Sequence, residues 1–363
     1  MPRAAFWKGR RVFITGHTGF KGSWLCLWLH RLGADITGYA LDPPTRPSLF
    51  ELTGVAKRIH SIHGDVRDAE RLKKCLCAAL PDVVIHMAAQ PLVRESYKHP
   101  LETFSVNVLG TAHFLEAVRH APSVRATVVV TTDKCYEDRR SKRGYRENEP
   151  LGGYDPYSSS KACAELVTSA YRNSFFNPAE YGKTHRTAVA SARAGNVIGG
   201  GDWARDRLLP DAMRALLGRR EIRIRHPRDV RAWQHVLEPL SGYLALAEKL
   251  HSSGAAFAEA WNFGPRNRDA KSVQWMATLA CSLWGGAAAF RIETGSHPHE
   301  TEVLKLDSSK ARKRLGWAPR WPVRQAVEKT LEWYLAYGNK DDLRALCLEQ
   351  IKAYEGTPLL GNR

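Results

Sequence analysis

Arg11-Val12-Phe13-Ile14-Thr15-Gly16-His17-Thr18-Gly19-Phe20-Lys21-Gly22 is the stretch whose reading decides the fold. Arg11 to Thr15 reads as a short buried strand, Gly16 to Gly22 as a glycine turn, and Ser23 to Leu32 as an apolar helix. Strand, glycine turn and helix in that order form a dinucleotide-binding unit. The glycines let the backbone turn tightly, approach a pyrophosphate and pack the helix on the strand. The helix N-terminus offers N–H groups and a positive dipole end to the phosphates. Gly16, Gly19 and Gly22, with Phe20 among them, follow Gly-x-x-Gly-x-x-Gly rather than Gly-x-Gly-x-x-Gly.

Downstream, strands and helices keep alternating, which implies an α/β fold built on a Rossmann-type doubly wound parallel sheet. A second strand, Asp35 to Leu41, ends at Asp42, an acid placed to accept hydrogen bonds from adenosine ribose hydroxyls. That favours NAD over NADP, although Arg46 could instead meet a 2′-phosphate. Asp65-Val66 follows a third strand, Ile59 to Ile62, and the Asp65 carboxylate is placed to reach the adenine amino group. Asp82 to His86 is strand four; the small Ala88 and Ala89 beyond it admit close backbone approach to a cofactor. Asn107, the polar residue on a mostly apolar helix face, reads either as a satisfied core amide or as part of a proton relay.

Composition sets the bounds. The 363 residues are 44% hydrophobic, enough for a sizeable core in one large or two intimate domains. Met1 to Arg11 is too short and polar for a signal peptide, and no apolar run spans a bilayer. Seven cysteines, scattered and without Cys-x-x-Cys spacing, argue against a disulfide scaffold and a zinc site. A reduced, cytoplasmic protein without a metal is expected. The net charge of +17 is spread along the chain with no block of five like charges, so it points to an anionic small molecule and a basic surface rather than nucleic acid.

The run Thr127 to Val130 is strand five, and Thr132, Asp133 and Lys134 lie at its carboxyl end, where ligands of such sheets bind. Tyr157 and Lys161 follow at the start of a helix, four apart and therefore on one face. A tyrosine with a pKa of about 10 is a poor base at neutral pH. A fixed cation and an oxidised nicotinamide together favour its phenolate, and a shift of ~3 units corresponds to ~4 kcal/mol. Glu137 to Pro150, charged and glycine-bearing, is expected to be a surface loop or partial lid.

The glycine turn, Asp65-Val66, Ala88-Ala89, Asn107 and Tyr157-x-x-x-Lys161 together resemble the extended short-chain dehydrogenase/reductase superfamily. Within it the chain is similar to the nucleotide-sugar 4,6-dehydratases, and most to the branch acting on CDP-glucose. That branch carries Thr-Asp-Lys, here Thr132-Asp133-Lys134, where others have Thr-Asp-Glu. Gly195 to Trp203, Asp206 to Asp211, Trp233 to Pro239 and Leu304 to Asp307 extend the similarity over nearly the whole chain.

The resemblance implies NAD as a regenerated cofactor, CDP-glucose as substrate and a homodimer built on helices near Leu101 to Val118 and Tyr157 to Asn173. Tyr157 and Lys161 would serve both catalysis and cofactor binding. Thr132 would bond the sugar 4-oxygen, Asp133 would protonate the departing 6-hydroxyl, and Lys134 would take the carbon-5 proton. A lysine does so only if its pKa falls from about 10.4 toward 7. Otherwise Lys134 is a solvated loop charge or phosphate neighbour, and Glu137 is the alternative base.

Beyond strand six, Ala188 to Ala194, the chain turns rich in arginine. Guanidinium groups pair bidentately with phosphate oxygens. Arg207 and Arg231 are the expected diphosphate clamp, with Asn196 and His235 near the sugar or phosphates; Arg219, Arg220, Arg223, Arg225 and Arg228 read mostly as solvated face. Helix Val236 to Leu250 returns to the sheet, Ala260 to Pro265 is its last strand, Trp317 and Trp321 are core, and the last ten residues are loose. The expected division is residues 1–195 with 236–264 as the NAD-binding domain, and 196–235 with 265–356 as a smaller mixed α/β substrate domain.

Alternative activities are a 4-epimerase, a dehydratase of GDP-mannose or of dTDP- or UDP-glucose, and a non-catalytic NAD-binding sensor. The Thr132-Asp133-Lys134 triplet speaks against an epimerase, which has no elimination to catalyse. The intact Tyr157–Lys161 pair speaks against a sensor.

Overall fold

A computed structural model describes residues 1–139, 143–293 and 303–359. Residues 140–142, inside the loop expected between Glu137 and Pro150, and 360–363, in the tail expected to be loose, lie outside the described residues. The strands are β1 (Arg11–Thr15), β2 (Asp35–Ala40), β3 (His60–His63), β4 (Val83–His86), β5 (Ala126–Val130), β6 (Ala188–Ala194), β7 (Asn196–Ile198), β8 (Ile222–Ile224), β9 (Val230–His235), β10 (Ala260–Phe263), β11 (Ala270–Ser272), β12 (Phe290–Ile292) and β13 (Val303–Leu304). Seven of them form one sheet in the order β10-β6-β5-β4-β1-β2-β3. Every pairing in it is parallel.

Helices cover both faces, which is why the central strands are near-continuous apolar runs: all of β4, β5 and β6 is buried. Alternation still decides which layer each side chain joins. Val12 and Ile14 of β1 enter the core built with Trp24, Trp28 and Leu240, whereas Phe13 enters the opposite one with Leu72, Leu76 and Phe114. Burying a side chain of that size stabilises by about 1.5–3 kcal/mol. The polar edge strand β3 is mostly exposed. The helix after β1 starts at Phe20 rather than Ser23, because Gly19 takes the extended conformation of an N-cap. Among the described residues no helix is long and apolar enough to cross a membrane.

The parallel register sets Val130 beside Ala192, so the segments leaving β5 and β6 run side by side. A second sheet, β11-β9-β13 with β7 paired to β9, begins where the segment after β6 enters β7. The helix Leu237–Ser253 leaves β9 and packs back on β5 and β6.

Trp317 and Trp321 are buried, as expected. They surround Glu238, whose Oε1 accepts from the backbone N–H of Arg320 (2.9 Å) and Trp321 (2.7 Å), and whose Oε2 accepts from the Tyr354 hydroxyl (2.6 Å). Burial pushes the Glu238 carboxyl up to about 7, against those hydrogen bonds. The folded chain therefore keeps a proton that the unfolded chain releases from 4.5 upward. This group imposes no penalty below that pH, and one that grows to ~3 kcal/mol as pH rises to about 7. Glu238→Gln is expected to remove that slope, seen as a smaller loss of urea stability between pH 5 and pH 8 than in wild type.

Candidate active site

The dinucleotide end is built by two turns in contact. Gly16 has φ +77°, and a Cβ there would stand 2.7 Å from the Ala88 nitrogen, so only glycine lets the turn after β1 meet the turn after β4. Thr15 fixes the second turn: its hydroxyl accepts from the N–H of Met87 (3.1 Å) and Ala88 (3.3 Å) and pairs with His86 Nδ1 (2.7 Å). Gly19 caps the helix Phe20–Arg31 with no side chain bonded to its first turn, and Gly22 is buried within that turn. Those N–H groups have no intrahelical acceptor and face outward as an anion site. The residues fit the phosphates of a dinucleotide.

Asp42 lies beyond β2, with its side chain 85% exposed and His63 Nε2 at 3.8 Å. Asp65 is held by Arg67, which donates from its backbone N–H (2.9 Å) and Nε (2.8 Å). Burial would raise the Asp65 carboxyl, but Arg67 holds it below the usual range. Val66 is buried against Gly110, and Ala88 and Ala89 are half-buried. The Phe20 ring lies against Gly199. Asn107 is a satisfied amide: Oδ1 accepts from Gln90 N–H (2.9 Å), and Nδ2 donates to Gln90 O (3.1 Å) and Ser160 Oγ (2.8 Å). It sits in a π-helical turn, Ser105–Leu109, and joins the turn after β4 to the helix that bears Tyr157.

That helix, Pro156–Ser174, starts on Asp155, which accepts from Ser158 N–H (2.9 Å) and Ser158 Oγ (2.6 Å), with Pro156 at the first position. Ser96 Oγ accepts from the Tyr157 N–H (3.1 Å), so the tyrosine is fixed from two sides. Thr132 pulls its phenol down. Thr132 Oγ1 in turn donates to Asp133 Oδ1 (3.0 Å) and accepts from Lys134 N–H (3.3 Å).

Asp133 is buried, and its second oxygen, Oδ2, has no partner among the described residues. A Cβ on Gly195 would come within 3.0 Å of that oxygen, so the glycine admits the carboxyl against β9. Burial raises the Asp133 carboxyl, opposed by Lys134, Thr132 and Arg231. Lys134 is half-buried beside it. Glu137 points to solvent in a 2.8 Å pair with Arg139.

The charge pattern around Tyr157 differs from the sequence expectation. Burial pushes its phenol up to about 12, and the downward pull comes from Thr132 and Arg207, not Lys161. Lys161, buried, is lowered by desolvation to about 8, opposed first by Glu165, one turn further along the helix, and then by Cys135.

At the substrate end Arg207, one-third exposed, pairs with Asp202 (2.9 Å). Arg231 is buried and pairs with Asp229 (2.8 Å). Asn196, half-buried, follows Gly195 directly. His235 does not join them. It is fully buried, with its ring 5.9 Å from Trp24 and 4.9 Å from Trp321, and desolvation lowers it to about 3. It is a neutral core histidine, because β9 turns it into the layer beneath the sheet. His235→Leu is accordingly expected to change stability by about 1–3 kcal/mol, read by thermal melting, and to leave KM unchanged.

The family model described as GDP-mannose 4,6 dehydratase matches residues 13–330. The chain belongs to that family. It is 53% identical to a CDP-glucose 4,6-dehydratase of Salmonella typhimurium, over 96% of this chain and 97% of the relative. It is 26% identical to the dTDP-D-glucose 4,6-dehydratase of Homo sapiens, over 90% of each chain. Two solved structures at 22% identity share the fold. An epimerase from Methanothermobacter thermautotrophicus has a TM-score of 0.79, covering 94% of this chain and 96% of its own. A dTDP-glucose 4,6-dehydratase from Streptomyces venezuelae, solved with NAD and TYD bound, has a TM-score of 0.76, covering 91% and 98%.

For this member of the 4,6-dehydratase family the structure adds residues that the sequence reading passed over. Lys21, in the first helical turn between Gly19 and Gly22, donates to the Tyr243 hydroxyl (3.4 Å). Desolvation lowers it to about 7, assisted by Lys161 and Arg207 and opposed by Asp133. The available signal was a cation at the head of an otherwise apolar helix. Tyr243, from the returning helix Leu237–Ser253, is fully buried, and no local pattern marks it.

Proposed function

We propose that this chain converts CDP-D-glucose to CDP-4-dehydro-6-deoxy-D-glucose and water, with NAD regenerated in each turnover. The observation that carries the reading is the buried Asp133 carboxyl, bonded by Thr132 through one oxygen and, among the described residues, without a partner at the other. A redox-only site has no use for a proton donor there. The 53% identical relative named as a CDP-glucose 4,6-dehydratase supports both the chemistry and the nucleotide.

Gly16, Gly19, Phe20, Gly22, Asp42, Asp65, Val66, Ala88, Ala89 and Asn107 would hold NAD together with Tyr157 and Lys161. When bound, NAD supplies a temporary two-electron store that oxidises carbon 4 and is spent on carbon 6. Tyr157 takes the proton of the 4-hydroxyl, and Thr132 hydrogen-bonds the 4-oxygen. The 4-ketone acidifies the carbon-5 proton, which Lys134 removes. Asp133, whose carboxyl burial pushes up, delivers its proton to the departing 6-hydroxyl, so water leaves. The surface pairing of Glu137 favours Lys134 as the base. Arg207 and Arg231 bind the diphosphate beside Asn196.

Residues 1–195 with 236–264 form the NAD-binding part, and 196–235 with 265–356 the sugar-nucleotide part. A homodimer is supported by Leu101, Leu109 and Leu166, exposed by 84%, 54% and 58% along the helical stretch 100–119 and the helix Pro156–Ser174. Seven free cysteines support a cytoplasmic setting for an enzyme of polysaccharide deoxysugar synthesis.

Incubation with CDP-, dTDP-, GDP- and UDP-hexoses, read by mass, tests the reading. Loss of one water from CDP-glucose alone is expected. No loss from any sugar despite tight NAD binding would favour the non-catalytic NAD-binding sensor instead.

A further inference from the structure

Tyr157, Lys161 and Glu165 stand one turn apart on one face of the helix Pro156–Ser174. The first two have roles in the proposed reaction; the third has none. Glu165 is nevertheless buried, 3% exposed, and fully engaged. Its Oε2 accepts from Arg193 Nη2 (2.8 Å) and Ser191 Oγ (2.6 Å), and its Oε1 accepts from the Thr131 hydroxyl. Thr131 is the residue before Thr132-Asp133-Lys134.

Arg193, 4% exposed on β6, extends the connection. Its Nη1 donates to the Tyr136 hydroxyl (2.8 Å) and to Glu147 O (3.1 Å), and its guanidinium carbon lies 4.9 Å from the Tyr136 ring centre. The Tyr136 hydroxyl donates onward to Asn262 Oδ1 (2.7 Å). Both ends of the loop 131–136 are thus tied to one buried ion pair. Burying such a pair costs desolvation that its attraction barely offsets, so apolar residues would serve stability as well. The pair therefore points to a purpose other than stability.

The charges facing Lys161 indicate what that purpose is. On its own helix these are Tyr157 and Glu165. From the turn after β5 comes Cys135, from the helix Phe20–Arg31 comes Lys21, and from β4 comes His86. Burial keeps His86 uncharged and pushes the Cys135 thiol up. Lys21 contributes positive charge, and so does Arg193 of β6, on the far side of Glu165. Glu165 is the only carboxylate in the group. Although burial would raise it, Arg193, Ser191 and Thr131 hold it below its usual range, so it stays ionised.

We propose that the Glu165–Arg193 pair is a positioning element of the reaction: Glu165 sets a carboxylate one helical turn from Lys161 and locks the Thr131–Tyr136 loop to the helix of Tyr157. The proposal rests on the reading of Tyr157 and Lys161 given above. In wild type, turnover and NAD affinity are both expected to fall on the alkaline side as Lys161 loses its proton. Without the Glu165 charge that limb moves to lower pH.

The test measures the pH dependence of kcat and, separately, of NAD affinity by tryptophan quenching. Wild type, Glu165→Gln, Glu165→Asp and the double variant Glu165→Gln with Arg193→Met are compared. In Glu165→Gln the alkaline limb of both profiles is expected to move down by about 1–2 pH units, and Glu165→Asp restores it. The double variant leaves no unpaired guanidinium to unfold the site, and its limb stays shifted. A lower melting temperature with an unmoved limb in both Gln variants would overturn the proposal. If wild type dehydrates no sugar while its NAD-affinity limb still moves in the variants, the functional reading fails and this one stands.

Discussion

Tyr157→Phe is expected to lower dehydration of CDP-glucose by about 10²–10⁴-fold, the range for loss of a positioned acid–base group. The ring is buried and its N–H is held by Ser96, so phenylalanine keeps the packing and the helix start. Only the hydroxyl is lost. Burial holds that phenol neutral up to about 12, with Thr132 and Arg207 the groups that pull it down. The positive charge of an oxidised nicotinamide is expected to bring it toward working pH. Phenolate absorbance that appears at lower pH when NAD is added to wild type, and not to Tyr157→Phe, would register that step directly. A variant that turns over normally would remove Tyr157 from the chemistry.

Lys134→Met should separate oxidation from elimination. The side chain is half-buried at the carboxyl end of β5, next to Asp133. Met keeps the aliphatic stem and removes the amine. Oxidation at carbon 4 then proceeds, the carbon-5 proton stays in place, and reduced nicotinamide accumulates in a single turnover. Product formation falls by about 10²–10³-fold. A raised KM with unchanged kcat would instead make Lys134 a binding charge.

Much of this was legible because it is local. The apolar run of β6 was read with its observed bounds, Ala188–Ala194, and the glycine turn announced the first βα unit. The triplet Thr132-Asp133-Lys134 lies at a strand end that topology makes a ligand edge. What escaped depends on which way a side chain faces once distant segments meet. His235 sits one residue beyond Gln234 on a strand whose register with β7 turns it toward Trp24 and Trp321, far away in sequence. Arg193 and Glu165 are separated by a whole αβ unit, so no spacing rule pairs them. Asn107, open between two readings, is decided by Gln90 and Ser160, neither of them near it in the chain. The order of the sheet is a property of sequence pattern, whereas the balance of charges around Lys161 is a property of burial.

The most direct measurement is the fate of deuterium in CDP-glucose labelled at carbon 4, followed by mass and magnetic resonance. The expected product is lighter by one water and carries the label at carbon 6, with no net change in NAD. Label retained at carbon 4 of a stereoinverted sugar, or a substrate recovered unchanged, would contradict the dehydratase reading.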